Sequence, residues 1–205
     1  EIEVCGRGAH AAMPHLGIDP IVAAAQIVGA LQTIASRHVH PLQGAVVSVT
    51  QIHGGDTWNV IPDSVVLRGT TRSFDPAVRA AIEPAIRRVA DGVAAACGAT
   101  VALRYERRYP PTVNTAAETE IAAGVAAGLV GDDNVKRDLL PSMGAEDFAC
   151  FLERKPGAYI WIGNGMPERE PAMLHNPHYD FNDAILPLGA SYWARLVESV
   201  LARGG

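Results

Sequence analysis

Two Asp-Pro steps, Asp19-Pro20 and Asp75-Pro76, constrain this chain more than any other feature. Aspartate accepts hydrogen bonds from the unpaired N–H groups of a helix's first turn. Proline suits the first helical position, where its missing N–H is not needed. Each step opens an apolar pattern at helical spacing. After the first come Ile21, Val28, Leu31 and Ala35, widened by Ile27 and Ile34, with an expected end near Arg37. After the second come Val78, Ile82, Ile86, Val89 and Val93, stopped by Cys97-Gly98. Pro84 lies inside this second pattern and predicts a kink or a split. Strand-like segments surround both helices: residues 1–6, 45–52, 65–74 and an alternating run through Val101, Leu103, Tyr105 and Tyr109. The order is therefore βαββαβ. That order predicts a ferredoxin-like α/β domain, an antiparallel sheet with two helices on one face.

The rhythm changes after Tyr109-Pro110-Pro111-Thr112, where two prolines predict a linker. Boundaries of 1–111 and 112–205 follow. The second part predicts a helix from Ala116 to Val130, a short helix ending near Lys155, and a short strand from Ala158 to Ile162. A Gly/Pro-rich loop from Gly163 to Pro177 and a last helix from about Leu188 to Ala202 complete it. These elements do not make a balanced domain, because a lone short strand needs neighbours. The chain also opens at Glu1 directly in a strand pattern with no leader, which predicts a piece of a longer protein.

Composition narrows the classes of function. With 17 basic and 22 acidic residues the net charge is −5, so the basic excess of a nucleic-acid binder is missing. No apolar run reaches the length of a membrane span. Three cysteines without C-x-x-C spacing exclude a disulfide scaffold and an all-cysteine zinc site. They predict reduced thiols and a cytoplasmic protein.

Three places could carry chemistry. Gly6-Arg7-Gly8-Ala9-His10 leaves a strand through glycines, which permit tight turns and close approach of a ligand, yet a plain surface loop has the same composition. Leu174 to Asp183 packs His175, His178, two aspartates and two asparagines together. Pro177 argues against a helical metal pair there, and a metal site needs three or four protein ligands, so a polar capping loop is an equal reading. Asn59 sits in a loop opened by Gly54-Gly55. Arg72 lies near the end of a strand, where its guanidinium could clamp a carboxylate or simply face water.

Taken in order, these motifs resemble the amidohydrolase branch of the M20 metallopeptidases, the branch of hippurate hydrolases and N-acyl-amino-acid amidohydrolases. The matching residues are Gly6-x-Gly-Ala-His10-Ala-Ala-x-Pro14-His15, Asp19-Pro20 and Gln32-Thr-Ile-x-Ser-Arg37. Further on they are Gly54-Gly55-x-x-x-Asn59-Val-Ile-Pro62, Gly69-Thr-x-Arg72, Met143-Gly-Ala-Glu146-Asp-Phe148 and Leu174-His175-Asn-Pro-x-Tyr179-Asp-Phe-Asn-Asp183. The resemblance implies that 1–111 is a ferredoxin-like lid and dimerisation domain inserted in a metal-dependent catalytic domain, and that 112–205 closes that catalytic domain. It implies His10 as a catalytic donor acting on the neighbouring subunit's substrate, with Asn59, Arg72 and Glu146 near the substrate and His175 as a metal ligand. It also implies two divalent ions, zinc or manganese, in the parent site, an N-acyl amino acid as substrate, and a homodimer. The family's upstream Cys-x-His, Glu-Glu and further histidine motifs have no counterpart in this sequence. The expectation is therefore a portion of an amidohydrolase, inactive alone. The alternative is a dimerisation or binding module with no chemistry.

Overall fold

A computed structural model of the chain describes residues 1–165 and 172–201. Both aspartates cap their helices. Asp19 Oδ1 accepts from the N–H groups of Ile21 (2.8 Å) and Val22 (3.3 Å), opening helix α1 (Pro20–Thr33), and a π-helical turn (Ile34–His38) continues it. Asp75 Oδ1 accepts from Ala77 (2.7 Å) and Val78 (3.1 Å), opening helix α2 (Pro76–Ala96). The buried stripe of α1 differs from the expected one. Ile21 is exposed, and Ala23, Ala24, Ile27, Leu31 and Ile34 face inward. Small alanines let the helix approach its neighbours closely, and Ile21 lies off that face.

Pro84 does not split α2, which runs unbroken through it. Ile82, Ala85 and Ile86 are buried on both sides of the proline. Their packing holds the helix across the single backbone hydrogen bond that Pro84 removes.

The strands are β1 (Ile2–Cys5), β2 (Ala9–His10), β3 (Ala45–His53), β4 (Val60–Ile61), β5 (Ser64–Ser73) and β6 (Thr100–Leu103). Four of them form an antiparallel sheet in the order β3-β5-β1-β6. Register follows the two-residue period: Ile2 stands opposite Leu67 and Leu103, and Val4 opposite Val65 and Val101. Ile2, Val4, Val47, Val65 and Leu67 join the buried residues of α1 and α2 in one core. Both helices therefore cover the same face. Strand β3 bulges between Val49 and Gln51, opposite Gly69, where a side-chain carbon would overlap the Ser48 carbonyl.

Two expectations here need correction. The last strand of this group stops at Leu103, well short of Tyr109. The Arg104 N–H still donates to the Glu1 carbonyl (2.9 Å), and no strand lies alongside the residues beyond. The segment between β3 and β5, expected as loop throughout, contains β4, which pairs with β2.

Residues divide into two compact units, Glu1–Pro111 with Ser142–Ala145, and Thr112–Pro141 with Glu146–Gly205. In the second unit α3 (Ala116–Val130) and α5 (Leu186–Val200) pack through Tyr192, whose hydroxyl donates to the Ala122 carbonyl at 3.5 Å. A four-residue helix, α4 (Ala149–Leu152), lies between them in sequence. Residues 158–162 form no strand. Side chains take the place of a strand partner: Asn114 Nδ2 donates to the Tyr159 carbonyl and Asn114 Oδ1 accepts its N–H, both at 2.9 Å. The expected loop of 163–177 contains residues 166–171, and the expected last helix contains Ala202; these lie outside the described residues. Among the described residues no helix is long and apolar enough to cross a membrane.

Candidate functional site

His10 is positioned by the exit from β1. The Gly6 N–H donates to the Asp63 carbonyl (2.8 Å) and the Gly8 N–H to Asp63 Oδ1 (2.7 Å). Arg7 bridges to Ile18, and a side-chain carbon on Gly6 would overlap the Ile18 carbonyl. The glycine thus admits the chain's own backbone rather than a ligand. This path delivers β2 against β4, with His10 opposite Val60. The Ala11 N–H then donates to the Asn59 carbonyl at 3.0 Å. His10 on β2 and Asn59, the residue just before β4, are far apart in sequence and are brought side by side by this pairing.

The hydrogen bonds fix what His10 offers. The Ala12 N–H donates to His10 Nδ1 at 3.0 Å. That nitrogen must accept, so the neutral ring carries its proton on Nε2 and presents an N–H donor on the exposed side. Asn59 Oδ1 accepts from Thr57 Oγ1 at 3.2 Å. Its Nδ2 has no partner among the described residues and is a second donor.

Arg72 does not join them. Its Nη1 donates to Thr70 Oγ1 and to the Thr71 carbonyl (2.8 Å). Among the described residues Nε and Nη2 are unengaged. Within one protomer Arg72 lies apart from the Asn59 loop. That loop enters β5 at Ser64, and Arg72 lies eight residues along the same extended strand, roughly 26 Å away at about 3.3 Å per residue.

The other two candidates lie in the second unit. Glu146 Oε2 accepts from the Tyr159 hydroxyl (2.9 Å), and Oε1 accepts from the Asp147 N–H (3.0 Å). The Tyr159 hydroxyl bond first, and hydrogen bonding with the Asp147 side chain next, hold the Glu146 carboxyl below the usual glutamate value. The same bond to Glu146 pushes the Asp147 carboxyl up. Tyr159 is raised in turn, since its proton is held by a carboxylate.

His175 has φ 71°, a left-handed conformation unusual for a residue other than glycine. It is fixed from both sides. The Asn176 N–H donates to the Met173 carbonyl, the Tyr179 N–H to the Asn176 carbonyl (both 3.0 Å), and the His178 N–H to Asn176 Oδ1 at 2.9 Å. Beyond the turn, Asn164 donates to the Tyr179 hydroxyl (2.6 Å) and accepts the Asn182 N–H (2.7 Å), while Asn182 Oδ1 caps Ala184. Tyr179 and Asn182 stand within the motif around His175, whereas Asn164 and Tyr159 belong to no motif in the sequence. Asn164, between two glycines, carried no signal.

As a test of metal binding, no group of three or more His, Cys, Asp and Glu among the described residues could hold an ion.

A mixed α/β chain with a small antiparallel sheet, helices on one of its faces, and an oriented histidine on a separate two-stranded sheet is the class these features define. Residues 5–199 match the model of peptidase family M20/M25/M40, and the chain belongs to that family. It is similar to the N-acetylcysteine deacetylase of Bacillus subtilis, 39% identical over 98% of this chain and 51% of that one. It is also similar to the hippurate hydrolase of Campylobacter jejuni, 36% identical over 95% of this chain and 50% of that protein. A crystal structure of a dinuclear metal binding peptidase of the M20 family from Bacillus subtilis matches with a TM-score of 0.66 and 32% identity, over 98% of this chain and 50% of that one. The chain thus spans about half the length of the curated relatives it matches.

Proposed function

We propose that this chain is part of a metal-dependent amidohydrolase that cleaves the amide bond of N-acyl amino acids, with hippurate-like substrates among them. The single observation that carries the proposal is the fixed tautomer of His10. An Nε2–H donor held on the two-stranded sheet, beside the free amide of Asn59, suits an oxygen that gains negative charge. Attack on an amide carbonyl makes such an oxyanion, and a donor aimed at it is worth roughly 3 kcal/mol in rate. Divalent ions, zinc or manganese, would be held chiefly by residues of the complete enzyme beyond this chain, with His175 contributing one ligand. Glu146, kept ionised by Tyr159, would stand near the substrate.

In this reading residues 1–111 are a ferredoxin-like lid and dimerisation domain, supported by the strand order and the one-sided helices, and 112–205 belong to the catalytic domain. The separation of Arg72 from His10 supports a homodimer. One small substrate cannot meet both side chains of a single protomer. A two-fold pair would bring His10 and Asn59 from one protomer to the substrate carboxylate clamped by Arg72 of the other. The site would then work in the cytoplasm on a small molecule.

The test is His10→Ala in the complete enzyme. We expect kcat to fall by about 100-fold on N-acetyl and N-benzoyl amino acids alike, with metal content and dimer unchanged. The 205-residue chain alone should hydrolyse neither with any added divalent metal. Unchanged kcat in His10→Ala would leave the chain a dimerisation module without chemistry.

A further inference from the structure

Trp58 is 97% exposed, although tryptophan ordinarily buries most of its large surface. Its turn is well defined: Gly55 has φ 80°, Thr57 Oγ1 donates to Asn59 Oδ1, and the Asn59 carbonyl accepts from Ala11. The indole is thus held in water by ordered backbone, one residue from Asn59 and in the turn that leads into β4, the strand paired with that of His10. Val60, opposite His10, and Met13, whose N–H donates to the His10 carbonyl, are also exposed apolar side chains there. Hydrogen-bond donors beside an aromatic face are the makings of a site for a carbonyl that bears an apolar substituent.

We propose that Trp58 is a specificity-determining residue that seats the apolar, preferentially aromatic, acyl group of the substrate. The proposal rests on the amidohydrolase reading above, in which His10 donates to the carbonyl oxygen of that same acyl group. An acetyl group brings only a methyl to the indole. A benzoyl group brings a whole ring face and removes far more apolar surface from water. Trp58 and Asn59 share the turn that leads into β4, and His10 stands on β2 opposite Val60, so all three reach the same substrate whichever protomer holds it.

The experiment compares Trp58→Ala and Trp58→Phe with the wild type in the complete enzyme, using N-benzoylglycine and N-acetylglycine. Trp58→Ala should lower kcat/KM on N-benzoylglycine about tenfold or more, mainly through KM, and change it less than twofold on N-acetylglycine. Trp58→Phe, which keeps an aromatic face, should retain most of the preference. Equal losses on both substrates, or dissociation of the dimer in Trp58→Ala, would overturn the proposal and make the indole a protein contact. If the wild type hydrolyses neither substrate, the amidohydrolase reading fails separately, and tryptophan emission decides the role of Trp58. A change on adding N-benzoylglycine that is lost in Trp58→Phe supports it, and no such change overturns it.

Discussion

One hydroxyl is the largest single cause that lowers the Glu146 carboxyl. Tyr159→Phe removes the donor, so the Glu146 carboxyl should titrate closer to its ordinary value of 4.5. The sign for stability follows. A carboxyl held below its ordinary value stabilises the fold above that value, and the gain is lost as pH falls through the lowered one. Asp147, pushed up, acts the other way: it favours the fold in acid and gives that up as pH rises through its raised value. The variant should therefore lose stability on the neutral side and show a flatter dependence in acid, since the Glu146 contribution shrinks. Side-chain carboxyl NMR titration reads this directly, and a Glu146 curve identical in wild type and Tyr159→Phe would contradict it. The surface ion pairs, such as Arg68 with Glu1 at 2.7 Å, are open to solvent and contribute little.

At the scale of elements, two kinds of constraint hold the first unit together. Helix caps are local, and replacing Asp19 or Asp75 by Ala should each cost about 1 kcal/mol. The Gly6 crossing is non-local, because a methyl there meets the backbone of Ile18, which cannot swing aside as a side chain can. Gly6→Ala should cost about 2 kcal/mol or more. It should also shift the amide resonances of Ala9 to Ala12, which the caps leave alone. Urea unfolding and NMR of the variants check both; a Gly6→Ala protein no less stable than Asp19→Ala would refute the crowding argument. Both caps were legible from two residues each, whereas the crossing needed the fold. Pro84 shows the same limit from the other side: its local rule predicts a break, and burial of Ile82, Ala85 and Ile86 overrides it.

At the scale of the whole molecule the two units differ in how well they bury themselves. The continuous core lies entirely within the first unit, from Ile2 to Ala99. Among the described residues of the second, only Ala122, Ala123, Ala149 and Tyr192 are buried hydrophobics, while Trp161, Trp193, Val197 and Val200 are exposed. A fragment of residues 1–111 should unfold cooperatively in urea, and one of 112–205 should show no protected amides, because four buried residues cannot offset the entropy of ordering such a segment. Slow amide exchange in the second fragment would overturn this. The distance from His10 to Arg72 gives a second prediction. In the proposed dimer, complete enzymes carrying either His10→Ala or Arg72→Ala should each be crippled. Mixed and reassembled one to one, they should recover about a quarter of wild-type activity, since half the dimers are hybrids and each hybrid has one intact site of two. No recovery after verified subunit exchange would mean that both side chains serve one protomer's site.

The amino-acid sequence by itself determined the elements whose signals are local: the two capped helices, the β-branched strands with their two-residue period, the helix from Ala116 to Val130, and the ordered motifs that mark the M20 family. Those features depend on neighbours a few residues away, so spacing reveals them. The tertiary structure alone decided that β4 exists, that residues 158–162 are held by Asn114 rather than by a strand, and that Ile21 faces water. It alone decided that His10 donates through Nε2 beside Asn59 while Arg72 stands a strand's length away. The β4 pairing, the Asn114 bonds and the approach of Asn59 to the His10 strand rest on contacts between residues distant in sequence. A two-residue strand, a tautomer fixed by one backbone N–H and a distance along β5 leave no periodic trace in the chain.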